Sequence, residues 1–238
     1  MGKRIIAQAR GKGGPRYRAP SFNYKGAIVH RNVAKPAATG EIVDLLKCRG
    51  HTAPLAKVKY EDGEIMLMIA PEGMRVGDTV SCGAEAEVKA GNTATLKDIP
   101  EGTLVYNIEN SPGDGGKFCR ASGTFARVLS KIGNKVVVEL PSKKQKTFQN
   151  DCRANIGIIA GGGRPEKPFL KAGTKHFAMK AKNKLWPIVC GQSMNAVDHP
   201  HGGSRSSMKN YPYTVSRNAP PGAKVGAIAA KRTGRKKR

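Results

Sequence analysis

The sequence predicts an all-β core of two small barrels, with long basic irregular extensions at both ends. Three observations carry this reading. Short runs rich in β-branched residues recur through the middle of the chain, separated by turn residues. The 238 residues include 29 glycines and 15 prolines, with aromatics at only 5%, which favours short strands and loops over long helices. Charge is also segregated. Residues 1–40 hold nine Lys/Arg and no acid, residues 41–163 hold 16 basic and 15 acidic residues, and residues 164–238 hold 17 basic and two acidic ones. The net charge of +25 implies a polyanionic partner, which nucleic acid or an anionic membrane surface could supply.

Taken in order, residues 1–35 form a basic N-terminal extension. Arg4, Arg10, Lys12, Arg16, Arg18, Lys25, Arg31 and Lys35 are interleaved there with Tyr17, Phe22 and Tyr24. Cations meet phosphates and rings stack on unpaired bases, so this mixture favours nucleic acid over a plain electrostatic tail. Residues 36–91 read as an OB-fold-like barrel. Its expected strands are 41–46, 56–60, 64–69, 76–80 and 86–89, with Glu61-Asp62-Gly63 as a tight hairpin turn. Residues 92–163 read as an SH3-like barrel, with strands at 102–108, 124–129, 135–140, 146–149 and 156–160 and a hairpin signal at Ile132-Gly133-Asn134. Between the first two of these lies the loop 111–117. Its Gly116-Lys117 does not make a P-loop, because Ser111 and Phe118 stand where glycine and Ser/Thr are required. Lys143, Lys144 and Lys146 crowd one hairpin, either as phosphate contacts or as a solvated edge that blocks strand pairing.

Residues 164–238 form a basic C-terminal extension. Lys167, Lys171 and Lys175 would share one face of a helix, although Pro165 and Pro168 confine any helix to the residues after them. Trp186, the single tryptophan, suits a packing anchor. Backbone ordering costs on the order of 1–2 kcal/mol per residue. Flanks this poor in apolar residues are expected to order only against a partner. The five cysteines stand singly with no C-x-x-C pair, which argues for reduced intracellular thiols and against a structural zinc site. No apolar run is long enough to span a membrane, and the N-terminus is expected to carry neither a signal peptide nor a myristoyl group.

The most distinctive stretch is Met194-Asn195-Ala196-Val197-Asp198-His199-Pro200-His201-Gly202-Gly203. Pro200 disfavours helix at His199, so an extended segment is expected, with both imidazoles pointing the same way. Three readings stand. His199, His201 and Asp198 could ligate a metal with a distant fourth donor. A histidine could act as a general base oriented by Asp198. Or the histidines could contact nucleotides while Gly202 and Gly203 allow close backbone approach. The charge of the surrounding segment favours the third. A turn held by Asp198 is compatible with it.

This stretch resembles the signature of the universal large-subunit ribosomal protein family called L-two. Gly113-Asp114-Gly115-Gly116, Arg120-Ala121-Ser122-Gly123-Thr124 and Asp151-Cys152-Arg153-Ala154 are similar to its second-barrel motifs. Arg10–Tyr17, Gly161–Lys171 and Arg232-Thr233-Gly234-Arg235 resemble its archaeal and eukaryotic-type members. Ala196, Ser204 and Cys190 depart from the usual pattern, where proline, glycine and arginine stand. The resemblance implies an OB-fold barrel, an SH3-like barrel, and extensions threaded into large-subunit ribosomal RNA. It implies roles in subunit association, in transfer-RNA placement and in support of the peptidyl transferase region.

The expected chemistry is RNA binding in a cytoplasmic ribosome, without catalysis, cofactor, metal or membrane. The resemblance implies neighbouring ribosomal proteins as further partners, with the small subunit and transfer RNA as indirect ones. Candidate RNA contacts are Arg4, Arg10, Lys12, Arg16, Tyr17 and Arg18 in the first extension, and Lys117, Arg120 and Arg153 on the second barrel. Arg164, Lys167, Lys171, Lys175 and Lys180 come next, and then Asn195, Asp198, His199, His201, Gly202 and Gly203 in the loop. Arg205, Lys231, Arg232 and Arg235 complete the set. Two other classes remain distinct readings: an RNA-processing enzyme using His199, His201 and Asp198, and a duplex-DNA-compacting protein.

Overall fold

The computed structural model describes residues 2–32, 37–83, 86–203 and 214–233. The chain divides into two compact units, one of residues 21–169 and one joining residues 1–20 to 170–238. Arg205 and Arg235 lie outside the described residues.

The first unit is all-β. Its strands are β1 (Ala38–Leu46), β2 (Leu55–Tyr60), β3 (Ile65–Ile69), β4 (Thr79–Cys82), β5 (Thr93–Thr95), β6 (Leu104–Tyr106), β7 (Ala126–Ile132), β8 (Lys135–Glu139), β9 (Gln145–Gln149) and β10 (Arg153–Ile156). They run in the order β3-β2-β1-β4-β5-β10-β6-β7-β8-β9. The two halves are the OB-fold barrel and the SH3-like barrel, joined where Cys82 of β4 pairs in parallel with Thr93 of β5. A β-bulge interrupts β1 between Ile42 and Asp44, and another interrupts β7 between Val128 and Ser130. Such bulges increase strand twist and bend, which small barrels need in order to curl.

The β2–β3 hairpin forms because Gly63 takes a φ of +81°, letting its N–H reach the Tyr60 carbonyl at 2.9 Å. Alternation buries Val136 and Val138 of β8 in the second core, beside Ile108, Val128, Phe148 and Ile156. Ile42, Ala56, Val58, Ala70 and Val80 fill the first core. A third cluster spans both barrels. In it Ile28, Leu55, Ile69, Tyr106 and Ile159 pack together, and the Tyr106 hydroxyl donates to the Ile69 carbonyl at 3.0 Å.

Two expected strands are corrected. Residues 86–89 are irregular, and Val88 is exposed. The buried Asn92 side chain accepts from Ser81 N–H at 2.9 Å and donates to the Glu87 carbonyl at 3.0 Å, so the chain loops around it before β5 begins. The final strand lies earlier than 156–160, because Gly157 at φ +118° breaks the ladder after Ile156. The following residues cross to the first barrel, where Ile159 bridges Pro71 and Ala160 N–H donates to the Ala70 carbonyl at 3.1 Å.

Residues 21–32 also belong to this unit, where the sequence suggested a flank. Ile28, His30 and Arg31 are buried. The His30 Nε2–H donates to the Asn107 carbonyl at 2.7 Å, and its backbone N–H donates to the Gly115 carbonyl at 3.3 Å. Arg31 pairs with Asp62 and with Glu64 at 3.1 Å, and lies over the Tyr60 ring. Arg120 ties Ile28 down from the other side, donating to the Gly116 carbonyl at 2.9 Å and the Ile28 carbonyl at 3.0 Å. The basic tail therefore ends as a seated strap.

In the second unit, α1 (Ile6–Gly11) and α2 (Ala172–Ala181) are the helices, and β11 (Thr214–Val215) pairs in parallel with β12 (Ala227–Ile228). Neither helix buries a residue. Lys171 is the N-cap of α2, so only Lys175 of the three spaced lysines is helical and no shared face forms. Among the described residues of this unit, Ile5 and Val225 are the buried apolar side chains.

Burial holds the His30 imidazole down to about 4, although the Asn107 carbonyl and Glu109 oppose the shift. Unfolded, it takes a proton near its ordinary value of about 6.5, so between these values protons favour the unfolded chain. Stability of the β unit is therefore fully present above about pH 6.5 and should fall by roughly 3 kcal/mol as pH drops to about 4. Urea unfolding followed by circular dichroism across that range checks this. The fall should be much smaller in His30→Gln.

Candidate nucleic-acid interface

The histidine loop lies in the second unit and is compact, not extended. A 3-10 turn over Gly191–Ser193 leads into it. The N–H groups of Asp198 and His199 then both donate to the Asn195 carbonyl, at 3.0 and 3.2 Å. Gly202 N–H donates to the His199 carbonyl at 2.8 Å, and Gly203 N–H donates to the Met194 carbonyl at 3.0 Å, closing the loop on itself. Pro200 thus sits inside the second of two successive turns, directly after His199, where the Gly202 to His199 bond closes across it. A proline restricts the residue before it, and a turn meets that restriction as well as a strand does.

The closeness of this packing explains the glycines. A Cβ on Gly202 would run into the Asn195 carbonyl, and one on Gly191 would run into the His199 ring. Gly203 takes φ +101°, a conformation open to glycine. Gly202 is buried inside the loop. Its lack of a side chain serves the loop's closure before it serves any ligand.

The two imidazoles come together with ring centres 5.0 Å apart, tilted by 61°. The His201 backbone N–H donates to His199 Nδ1 at 3.0 Å. Nδ1 must then be the acceptor, so His199 is neutral with its proton on Nε2. Burial and the neighbouring His201 both keep His199 below its ordinary pKa. Asp198 pairs with Lys3 at 3.5 Å, an exposed contact worth little in water. The catalytic reading needed Asp198 to orient a histidine, whereas the ring nitrogen of His199 is oriented by backbone. Among the described residues no group of three or more His, Cys, Asp or Glu could hold a metal ion.

The N-terminal segment completes this site. Lys3 N–H donates to the Val197 carbonyl at 2.8 Å, and Ile5 N–H is capped by the Gln8 side chain at 3.2 Å, starting α1 beside the loop. Between them opens a cavity of about 750 Å³. Lys3, Arg4, Arg10 and Lys224 stand on its wall, over apolar surface from Ile5, Ile188, Val189 and Met194.

Most candidate cations are exposed: Arg4, Arg10, Lys12, Arg16, Arg18, Lys117, Arg164, Lys167, Lys171, Lys180, Lys231 and Arg232. Tyr17 and Lys175 are half-buried. Arg18 Nε donates to the Gly13 carbonyl at 2.5 Å, and Arg164 Nε to Ser122 Oγ at 3.3 Å. Arg120 and Arg153 stand apart, because their guanidinium groups are bonded inside the β unit. Arg153 pairs with the fully buried Glu109 at 2.7 Å and also donates to the Arg31 carbonyl. Lys146, one of the crowded hairpin lysines, has its ammonium 4.0 Å from the centre of the Phe118 ring and donates to Asn110 Oδ1 at 2.8 Å. The sequence reading gave no RNA contact to Lys184, Trp186 or Asn183. The interleaving of cations with aromatics at 175–186 was the available signal.

The compactness of the loop can be tested directly. Nuclear magnetic resonance titration should give His199 a midpoint below about 6.5. Gly202→Ala should move that midpoint back towards the ordinary value by opening the loop to solvent. An unchanged midpoint in the variant would show that the Asn195–Gly202 contact does not hold the loop closed.

The family model described as "Ribosomal Proteins L2, RNA binding N-terminal domain" matches residues 4–82, and "Ribosomal Proteins L2, C-terminal domain" matches residues 89–224. The chain is 51% identical to the large ribosomal subunit protein uL2 of Methanothermobacter thermautotrophicus, over 100% of both chains. It is 52% identical to that of Natronomonas pharaonis, over 99% of this chain and 97% of the relative, and 50% identical to that of Methanopyrus kandleri, over 99% and 98%. With both domain models matched and the relatives covered over nearly their whole length, the chain belongs to the ribosomal protein L2 family.

Proposed function

We propose that this chain is a structural component of the large ribosomal subunit that binds large-subunit ribosomal RNA in the cytoplasm. One observation carries the reading. The unit built from the two ends of the chain holds 21 Lys/Arg against a single acid, Asp198, and among its described residues buries only two apolar side chains. A surface so one-signed and so poor in core gains its order by meeting a polyanion.

The exposed cations of this unit supply most of the affinity, with Arg4, Arg10, Lys12, Arg16, Lys171, Lys180, Lys231 and Arg232 reaching phosphates. Arg164, Lys167 and Lys117 add to them from the β unit. Arg120 and Arg153 contribute by holding that unit together. His199, His201 and Asn195 contact nucleotides from a preshaped loop, and the reacting chemistry in their neighbourhood belongs to RNA. This supports the peptidyl transferase region, subunit association and transfer-RNA placement, with neighbouring ribosomal proteins as further partners. A neutral His199 presents a fixed Nε2–H donor, which suits recognition of a base or ribose edge.

Affinity of the full chain for large-subunit ribosomal RNA should fall by about 1000-fold or more as salt rises from about 50 to about 200 mM, if roughly ten phosphates are neutralised. Filter binding across that range measures it. A nearly flat titration would remove phosphate neutralisation as the source of affinity.

A further inference from the structure

A second, smaller concavity lies in the same unit, of about 150 Å³, at the C-terminal end of α2. Arg16, Tyr17, His176, Lys180, Lys184 and Trp186 line it, and no carboxylate does. It is a built site. Asn183 takes φ +52° just after α2, and its side-chain Nδ2 donates to the carbonyls of Pro15 at 2.9 Å and Arg18 at 2.8 Å. Those two bonds bracket the 3-10 turn over Pro15–Tyr17 and hold Tyr17 against the helix end. His176 meets Trp186 edge-on at 6.3 Å, and Lys175 sits 5.7 Å from the centre of the indole ring. Both contacts fix the indole plane while leaving the residue only half-buried.

Three aromatic rings around a small space, rimmed by three cations, define what fits. The space is well below the roughly 300–1,000 Å³ of a drug-sized ligand site. A planar heterocycle can stack on the rings, and its phosphates would meet Arg16, Lys180 and Lys184. A base still paired in a duplex presents only its edge in a groove, so the occupant must be unstacked. We propose that this pocket receives one unstacked nucleobase of single-stranded or bulged RNA, with the three cations holding the adjoining phosphates. The proposal rests on the RNA-binding role above and adds to it a site outside the histidine loop.

Trp186 is the only tryptophan, so its fluorescence reports on this pocket alone. The full chain is titrated with a short labelled oligoadenylate, and with an abasic oligomer of equal length and charge. Label anisotropy gives total binding, and tryptophan quenching gives entry into the pocket. Oligoadenylate should quench Trp186 with the same midpoint as its anisotropy. The abasic oligomer should bind with little quenching. Tyr17→Ala should weaken oligoadenylate binding by about tenfold while Tyr17→Phe stays close to the parent. Equal quenching by the abasic oligomer, or unchanged binding in Tyr17→Ala, would overturn the pocket while leaving general RNA binding intact. If neither oligomer nor ribosomal RNA bound, the RNA-binding role would fall and the pocket with it.

Discussion

The fold of the β unit depends on one buried carboxylate. Glu109 has no exposed side-chain surface, and an isolated charge in that position would be costly by several kcal/mol. It is satisfied from every side. Gly113 and Gly115 N–H each donate at 3.2 Å, Arg153 N–H donates at 2.9 Å, and the Arg153 guanidinium closes the pair at 2.7 Å. Burial pushes the Glu109 carboxyl up, but the Arg153 bonds and charge outweigh this and hold it below the usual carboxylate range. The same carboxylate thereby shapes the loop at 113–116 and anchors β10. Through the bond from Arg153 to the Arg31 carbonyl, it also pins the strap at residues 21–32. Arginine suits this place because its planar fork serves two partners at once, where lysine would serve one point.

That arrangement divides the cations of the chain into two kinds. Arg31, Arg120 and Arg153 are bonded to protein carbonyls or carboxylates and act as internal struts. The cations of the other unit are mostly exposed and face almost no negative charge. One set makes a rigid scaffold that is complete in itself. The other makes a surface that is complete only with a polyanion. The histidine loop sits on the second kind of unit yet is held by its own backbone bonds, and one of them fixes the His199 ring within the protein itself.

Much of the fold was legible because it is written in local patterns. The Glu61-Asp62-Gly63 turn and the alternation at 135–139 determine two hairpins by steric and burial rules that act over a few residues. The failures share a cause. The strand expected at 86–89 has strand-like residues, but Asn92, a few residues on, takes over the local hydrogen bonds. Arg120 and Arg153 look in sequence like any exposed cations, because all but one of the partners that occupy them lie far away along the chain: Ile28, Arg31 and Glu109, against the nearby Gly116. The histidine loop was recognised as a motif, but its turns arise from Gly202 closing on the Asn195 carbonyl, a contact that periodicity does not encode. The lysines at 167, 171 and 175 had helical spacing, yet the helix starts only after Lys171, beyond both prolines.

The division between strut and contact arginines is most directly tested by measuring, for Arg16→Gln and Arg153→Gln, both the thermal midpoint and the salt dependence of ribosomal RNA binding. Arg16→Gln should reduce the logarithmic salt slope by about 0.7–0.9 and leave the midpoint unchanged. Arg153→Gln should lower the midpoint by several degrees, because it leaves Glu109 buried without its partner, and should leave the salt slope of the folded protein unchanged. The reverse result, with Arg153 governing the salt slope and Arg16 the midpoint, would contradict the account.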